Sequence, residues 1–299
     1  MKLTQKQCVL ISLLYADIFD YPLTEQELIT WLVFQKSEHK LFLSFWLQRY
    51  KKFVFLFGRK AIVGKRQERK QWAGEKWELA KKASRFFRYI PTIELIGVTG
   101  GLAMENAKKE DDIDIFFIVS PGTIWVSRLL AVLATEILGM RRRPKAQNVN
   151  NAICLNMFMT SDAVSLPIGE RDFYTAHEVL QMRPVWERDG VYQKFLQENG
   201  WVKNFLPTAW GKKCQMANAK WPIKGHQKKS FSIYHLAFII FEPFARMIQL
   251  WYMSGRTNEV VSDTLLRFHP KDARGWVKVA LAKRLARYNL PLDNIFYAR

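Results

Sequence analysis

Between Thr4 and Asp17, and again between Thr24 and Gln35, apolar residues return every three or four positions, which predicts two amphipathic helices near 4–17 and 24–35. Each opens on a threonine followed three residues later by Gln7 or Glu27, the spacing at which two side chains satisfy a helix start reciprocally. Pro22 stops the first helix. The stretch "LFLSFWLQRY" (41–50) continues the helical period, and "KFVFLFGRKAIVG" then reads as two short β runs, 53–57 and 61–63, turned through Gly58. A long helical pattern follows over 65–89. Past Pro91 the period changes: "IELIGV" predicts a strand, the glycines a turn, "LAMENA" a short helix and "DIDIFFIVS" a second strand. A helix over 122–140 and a third strand over 152–160 complete this part. From Arg171 onward the pattern is helical, near 171–182, 190–200, 231–254, 257–267 and 271–288, punctuated by prolines.

The expected class is therefore α+β, in four parts. Residues 1–63, three helices and a hairpin, resemble a winged helix; 64–90 form a basic connecting helix; 91–170 form a small mixed sheet with flanking helices; 171–299 form an all-α domain. In a winged helix that reads DNA, the helix near 41–50 enters the major groove and Arg49, Lys51, Lys52 and Lys60 reach phosphates. The same unit also serves as a docking scaffold.

Charge narrows the partners. The 299 residues carry a formal +19, with a pI near 9.9, which favours nucleotides, RNA or DNA, or an acidic lipid surface. The segment 65–89 holds nine basic against three acidic side chains, and Arg141, Arg142, Arg143 and Lys145 crowd one loop. Cys8, Cys154 and Cys214 are far apart and form no metal-binding pair by spacing, which fits a reducing cytoplasm. The start lacks an export pattern, because Asp17 and Asp20 interrupt it. The apolar window 235–253 contains Glu242, Pro243 and Arg246, so the expectation is a buried or amphipathic helix without stable membrane insertion.

The chemistry concentrates in "GVTGGLAMENAKKEDDIDIFFIV" (97–119). On a strand, Asp112 and Asp114 project from one face while Ile113 and Ile115 enter the core. Two carboxylates side by side call for a cation, and hard oxygen ligands suit Mg2+, or Mn2+. Ten residues earlier, a glycine turn that opens a helix offers backbone amides to terminal phosphates. The same acidic pair also fits the diphosphate metal of a nucleotide-sugar glycosyltransferase, or a mere acidic turn before a buried strand.

The order strand, Gly100-Gly101, short helix, Asp112-Ile113-Asp114 strand resembles the nucleotidyltransferase superfamily, the fold of DNA polymerase beta and the CCA-adding enzymes, over roughly residues 92–160. The resemblance implies that Asp112 and Asp114 hold the metal of a nucleoside triphosphate and that Gly100 and Gly101 contact its β- and γ-phosphates. Thr99 would add the hydroxyl that relatives supply from a serine at Gly101. A third carboxylate on a later strand serves relatives as metal ligand and base; here that position reads as Asn156, with Asp111 or Asp162 as stand-ins. The implied reaction is transfer of an NMP to a hydroxyl acceptor such as RNA. The alternative is a core that has lost catalysis and serves as a nucleic-acid-binding or regulatory protein. Arg128, at the start of the helix after the metal strand, is a further candidate phosphate ligand. His177, His235 and His269 lack partner spacing and read as structural; Trp210, Trp221, Trp251 and Trp276 read as core or as base-stacking surfaces.

Overall fold

The computed structural model describes residues 3–36, 47–143, 146–218, 224–225, 233–253, 260–268 and 273–291. The chain opens with α1 (Gln5–Ile18), β1 (Leu23–Thr24) and α2 (Glu25–Thr30). Both capping boxes form as the sequence predicts, Thr4 with Gln7 and Thr24 with Glu27. A hairpin of β2 (Leu47–Tyr50) and β3 (Phe53–Leu56) follows, and β1 pairs with β3 to give a three-stranded sheet of order β1-β3-β2.

Three expectations here are corrected. The second helix ends at Thr30 rather than Gln35. Residues 47–50 are a strand, because Leu47 to Tyr50 pair antiparallel with Leu56 to Phe53; 41–46 lie outside the described residues. Ile62 and Val63 are not a β run but open the next helix, packing with Phe53 and Phe55.

That helix, α3 (Ile62–Phe87), leads into β4 (Ile93–Val98), the single turn α4 (Gly100–Ala103), β5 (Ile113–Val119), α5 (Ile124–Ile137) and β6 (Ile153–Thr160). Then come α6 (Phe173–Gln181), β7 (Arg183–Arg188), α7 (Val191–Glu198), α8 (Pro207–Asn218), β8 (Lys224–Gly225), α9 (Ile233–Tyr252), β9 (Val260–Val261), β10 (Leu265–Arg267) and α10 (Ala273–Arg287). The all-helical expectation for 171–299 is thereby corrected: β7 joins β4, and β10 joins β6, in a seven-stranded mixed sheet of order β8-β7-β4-β5-β6-β10-β9. Residues 260–267, read as part of a helix, form the β9–β10 pair. Their pairing partner β6 lies about a hundred residues away, so no local period announces it.

β5 sits in the middle of this sheet and is buried on both faces. Ile113, Ile115, Phe117 and Val119 pack under α3, α5 and Trp125, whereas Phe116 and Ile118 pack toward α1, α6 and α7. Asp114 shares the parity of the second set, so it faces α1 and α6. The N-terminal unit belongs to that second core, which runs from Cys8 to Leu290. Arg59 holds Asp17 at 2.6 Å, Arg284 holds the same carboxylate at 3.3 Å, and Arg66 pairs with Glu27, tying α1 and α2 to α3 and α10.

α9 docks on α5 through one stripe. Glu242 accepts the amides of Trp125 (2.8 Å) and Val126 (2.9 Å), satisfying orphan donors at the start of α5. Gln249 donates to the Trp125 carbonyl, with Ala245 and Met253 buried beside it. The outer face, including Leu236, Ile240, Phe244, Met247 and Trp251, is exposed. Among the described residues, Leu236–Met253 is the one helical stretch long and apolar enough to cross a bilayer by length and composition.

Candidate active site

The site lies where β4 ends and β5 begins. Gly100 opens α4 with φ +65°, a left-handed conformation that favours glycine. A side chain there is disfavoured on a second count, because a Cβ on Gly100 would lie 2.8 Å from Asp114 Oδ2 and the carboxylate would have to shift. Gly101 is less demanding: its Cβ would meet the Asn106 carbonyl at an ordinary 3.5 Å. The Thr99 amide donates to the Asp114 carbonyl (3.0 Å) and the Asn106 amide to the Gly101 carbonyl (2.8 Å), so the glycine turn is laced directly onto the acidic strand.

Lys76, inside α3, is 1% exposed, and its ammonium donates to the carbonyls of Lys109 (3.0 Å) and Asp111 (2.6 Å) and to Asn150 Oδ1 (3.1 Å) and Asn151 Oδ1 (2.9 Å). It pins the approach to Asp112 to the loop before β6. The sequence presents it as one more charge in a basic run, and only the apolar residues one helical turn away, Ala73 and Ala80, mark its face as the buried one.

Asp112 and Asp114 meet Cys154 of β6: one ligand atom from each lies within 4.8 Å of the others. Strand register explains the third member. β5 and β6 run parallel with Asp114 opposite Cys154, and Asn156 is the extra residue of a bulge between the Ile115 and Phe116 pairings. Cys154 is thus the β6 residue opposite Asp114, while Asn156 lines the cavity that Asp114, Gly100 and Gly101 line. Asn156 is buried two residues on, with its Oδ1 lacking a hydrogen-bond partner. Thr99 Oγ1 is likewise buried without one.

The electrostatics follow from burial. Burial first, and then the charge of Asp112, push the Asp114 carboxyl up to about 7; the Cys154 thiol and the Arg142 charge pull the other way. Burial also raises Asp112, against the opposing charge of Arg142. Arg142 Nη1 lies 3.0 Å from Asp112 Oδ2 and donates to Cys154 Sγ at 3.2 Å.

Beside the pair are two adjoining cavities of about 310 and 220 Å3, sharing Asn156, Tyr174 and Glu178 in their walls. The larger is lined by Gly100, Gly101 and Asp114 on the sheet side and by Tyr15 of α1, Phe19 just after it and His177 of α6 opposite. Thr99 lines the smaller. Glu178 is the carboxylate the sequence reading missed: it reaches both cavities, and burial pushes it up to about 7. Its position on the same face of α6 as Tyr174 and Gln181 was its only local signal.

Other candidates fall elsewhere. Arg128 is buried in the α5–α9 contact, where it donates to Gln249 and lies 4.1 Å over the Phe268 ring; it does not line either cavity. Asp111 is turned away, accepting the Lys108 amide at 2.8 Å. His177 stacks on Tyr15 at 3.9 Å and is held neutral, its pKa lowered by burial to about 4. Arg49 pairs with Glu25 at 2.7 Å. Trp251 and Trp276 are exposed, while Trp221 and His269 lie outside the described residues, as does the side chain of His235.

No family model, curated protein or solved structure matches this chain.

Proposed function

We propose that this chain is a nucleotidyltransferase that moves an NMP from a metal-bound nucleoside triphosphate to a hydroxyl acceptor such as RNA. The observation that carries the reading is the contact between Gly100 and Asp114: the phosphate-cradle glycine and the metal-clamp carboxylate meet so closely that a Cβ would lie 2.8 Å from Asp114 Oδ2 and force that carboxylate to shift. The order β4, glycine turn, β5 antiparallel to β4, α5, then β6 parallel to β5 supports the same reading.

Asp112 and Asp114 would hold a Mg2+ or Mn2+ ion, which when bound neutralises triphosphate charge. The amides of Gly100 and Gly101, with the unpartnered Thr99 hydroxyl, bind the β- and γ-phosphate oxygens. Asn156 has a carbonyl oxygen but no basicity, so it orients and does not take a proton. Glu178 faces the same space with an affinity for protons matched to neutral pH, and it takes the acceptor's hydroxyl proton at its carboxylate. The walls contributed by α1 and α6 exclude bulk water, which strengthens each of these contacts.

The order α1, β1, α2, hairpin supports a winged-helix reading of the N-terminal unit. Because α1 lines the cavity, that unit acts here as scaffold and wall. The rival reading, a regulatory or nucleic-acid-binding protein with an inactive core, draws on the lack of a carboxylate from β6 among the cavity-lining residues. Incubation with α-labelled NTPs, Mg2+ or Mn2+ and total RNA separates the two. Transfer by the parent protein and none by Asp112→Ala/Asp114→Ala supports the enzyme; equal transfer by both removes it. Steep loss of DNA affinity with salt, with no transfer, favours the rival.

A further inference from the structure

We propose that Cys154 is a direct ligand of the cation held by Asp112 and Asp114, so that the site takes a thiophilic divalent transition-metal ion in preference to Mg2+. The proposal rests on the reading of the acidic pair as a cation clamp and adds the identity of the ion.

The ligand atoms of Asp112, Asp114 and Cys154 lie within 4.8 Å of one another, a span one ion can bridge. The register of β5 against β6 fixes Cys154 there, since it is the residue opposite Asp114. A second observation points to the same place: Asn156, 6% exposed, lines the cavity that Asp114 lines and has a carbonyl oxygen with no hydrogen-bond partner. Two carboxylates and one sulfur form a mixed donor set, with the Asn156 carbonyl oxygen in the wall of the same cavity. Carboxylate and carbonyl oxygens alone suit Mg2+; sulfur adds strongly to zinc and cadmium, less to Mn2+, and contributes little to Mg2+.

Arg142 already brings positive charge to this spot, bridging Asp112 Oδ2 at 3.0 Å and Cys154 Sγ at 3.2 Å. It comes from the loop between α5 and β6, and its side chain is partly exposed, so it has room to swing outward when an ion enters. As a metal–sulfur bond forms, the thiol S–H bond breaks and its proton leaves to the buffer.

The test is a titration of the full chain with Cd2+, followed by the sulfur-to-cadmium absorption band. Cys8 and Cys214 are first replaced by serine so that Cys154 is the remaining thiol. One saturating site per chain is expected. The band should vanish in Cys154→Ser and weaken about tenfold or more in affinity in Asp114→Asn. Arg142→Gln should tighten binding. Cys154→Asp should shift the Mn2+ over Mg2+ preference toward Mg2+ by about tenfold or more. A cadmium band of undiminished affinity in Asp112→Ala/Asp114→Ala overturns the proposal, as does Mn2+ binding of unchanged affinity in Cys154→Ser. If Mn2+ binding is lost only in Asp112→Ala/Asp114→Ala, the sulfur ligand is refuted and the acidic clamp stands; if it survives there too, the clamp falls with it. Thermal melts of each variant verify that it is folded.

Discussion

Asp114→Asn isolates the cost of building a cation site without its cation. In the folded chain burial and the neighbouring charge of Asp112 lift the Asp114 carboxyl from 3.8 to about 7. The sign follows from proton counting: between those values the unfolded chain releases a proton that the folded chain keeps, so stability is fullest below about pH 4 and is lost as pH rises through 7. At about 1.4 kcal/mol per tenfold change, the whole shift corresponds to about 4 kcal/mol at pH 8. Titration shared with Asp112 and local relaxation reduce the expected gain from the isosteric amide to about 1–3 kcal/mol. For a chain of this size that is a rise of a few degrees in melting temperature. The assay is a thermal melt in chelator from pH 4 to pH 8. Asp114→Asn should match the parent at pH 4 and exceed it at pH 8, and added Mn2+ should raise the parent but not the variant. A variant no more stable than the parent at pH 8 would refute the argument that two charged carboxylates are held there against their preference.

Three other perturbations test separate links. Gly100→Ala places a Cβ at 2.8 Å from Asp114 Oδ2 on a backbone of positive φ, and should cost about 1–3 kcal/mol and most of the Mn2+ affinity, whereas Gly101→Ser should change neither by much; melts and Mn2+ titration read both. Lys76→Met leaves four oxygen acceptors around the former ammonium and should lower stability by about 1–3 kcal/mol in chemical denaturation. Glu178→Gln should reduce transfer by about 100-fold or more without changing Mn2+ affinity, and should abolish the rise in rate through pH 7 that the parent shows. Unchanged transfer in Glu178→Gln would return the proton-accepting role to another group.

The parts of the fold that sequence alone made legible are those decided by short-range physics. The capping boxes at Thr4 and Thr24, the strand that carries Asp114 and the helix expected over 122–140 and found over 124–137 all depend on neighbours within a few residues. The errors arose where distant partners decide. "LQRY" has an ambiguous period and becomes a strand because Phe53 to Leu56 turn back on it. Leu265 to Arg267 become a strand because Met157 to Met159 offer an unpaired edge. The same limit governed the site. Gly100, Gly101, Asp112 and Asp114 are close in sequence and could be read together. Cys154 needed the β5–β6 register, with a bulge that moves Asn156 out of line, and Glu178 needed α6 to be folded across the cavity. Arg128 carries no local sign of the contact with Gln249 of α9 that covers it.

The most direct test of the central claim is a crystal of the protein grown with Mn2+ and a nonhydrolysable nucleoside triphosphate, measured for the anomalous signal of manganese. The account predicts a manganese peak between the carboxylates of Asp112 and Asp114, with the terminal phosphates against the amides of Gly100 and Gly101. Triphosphate bound elsewhere, or manganese with no ligand from this pair, would contradict it.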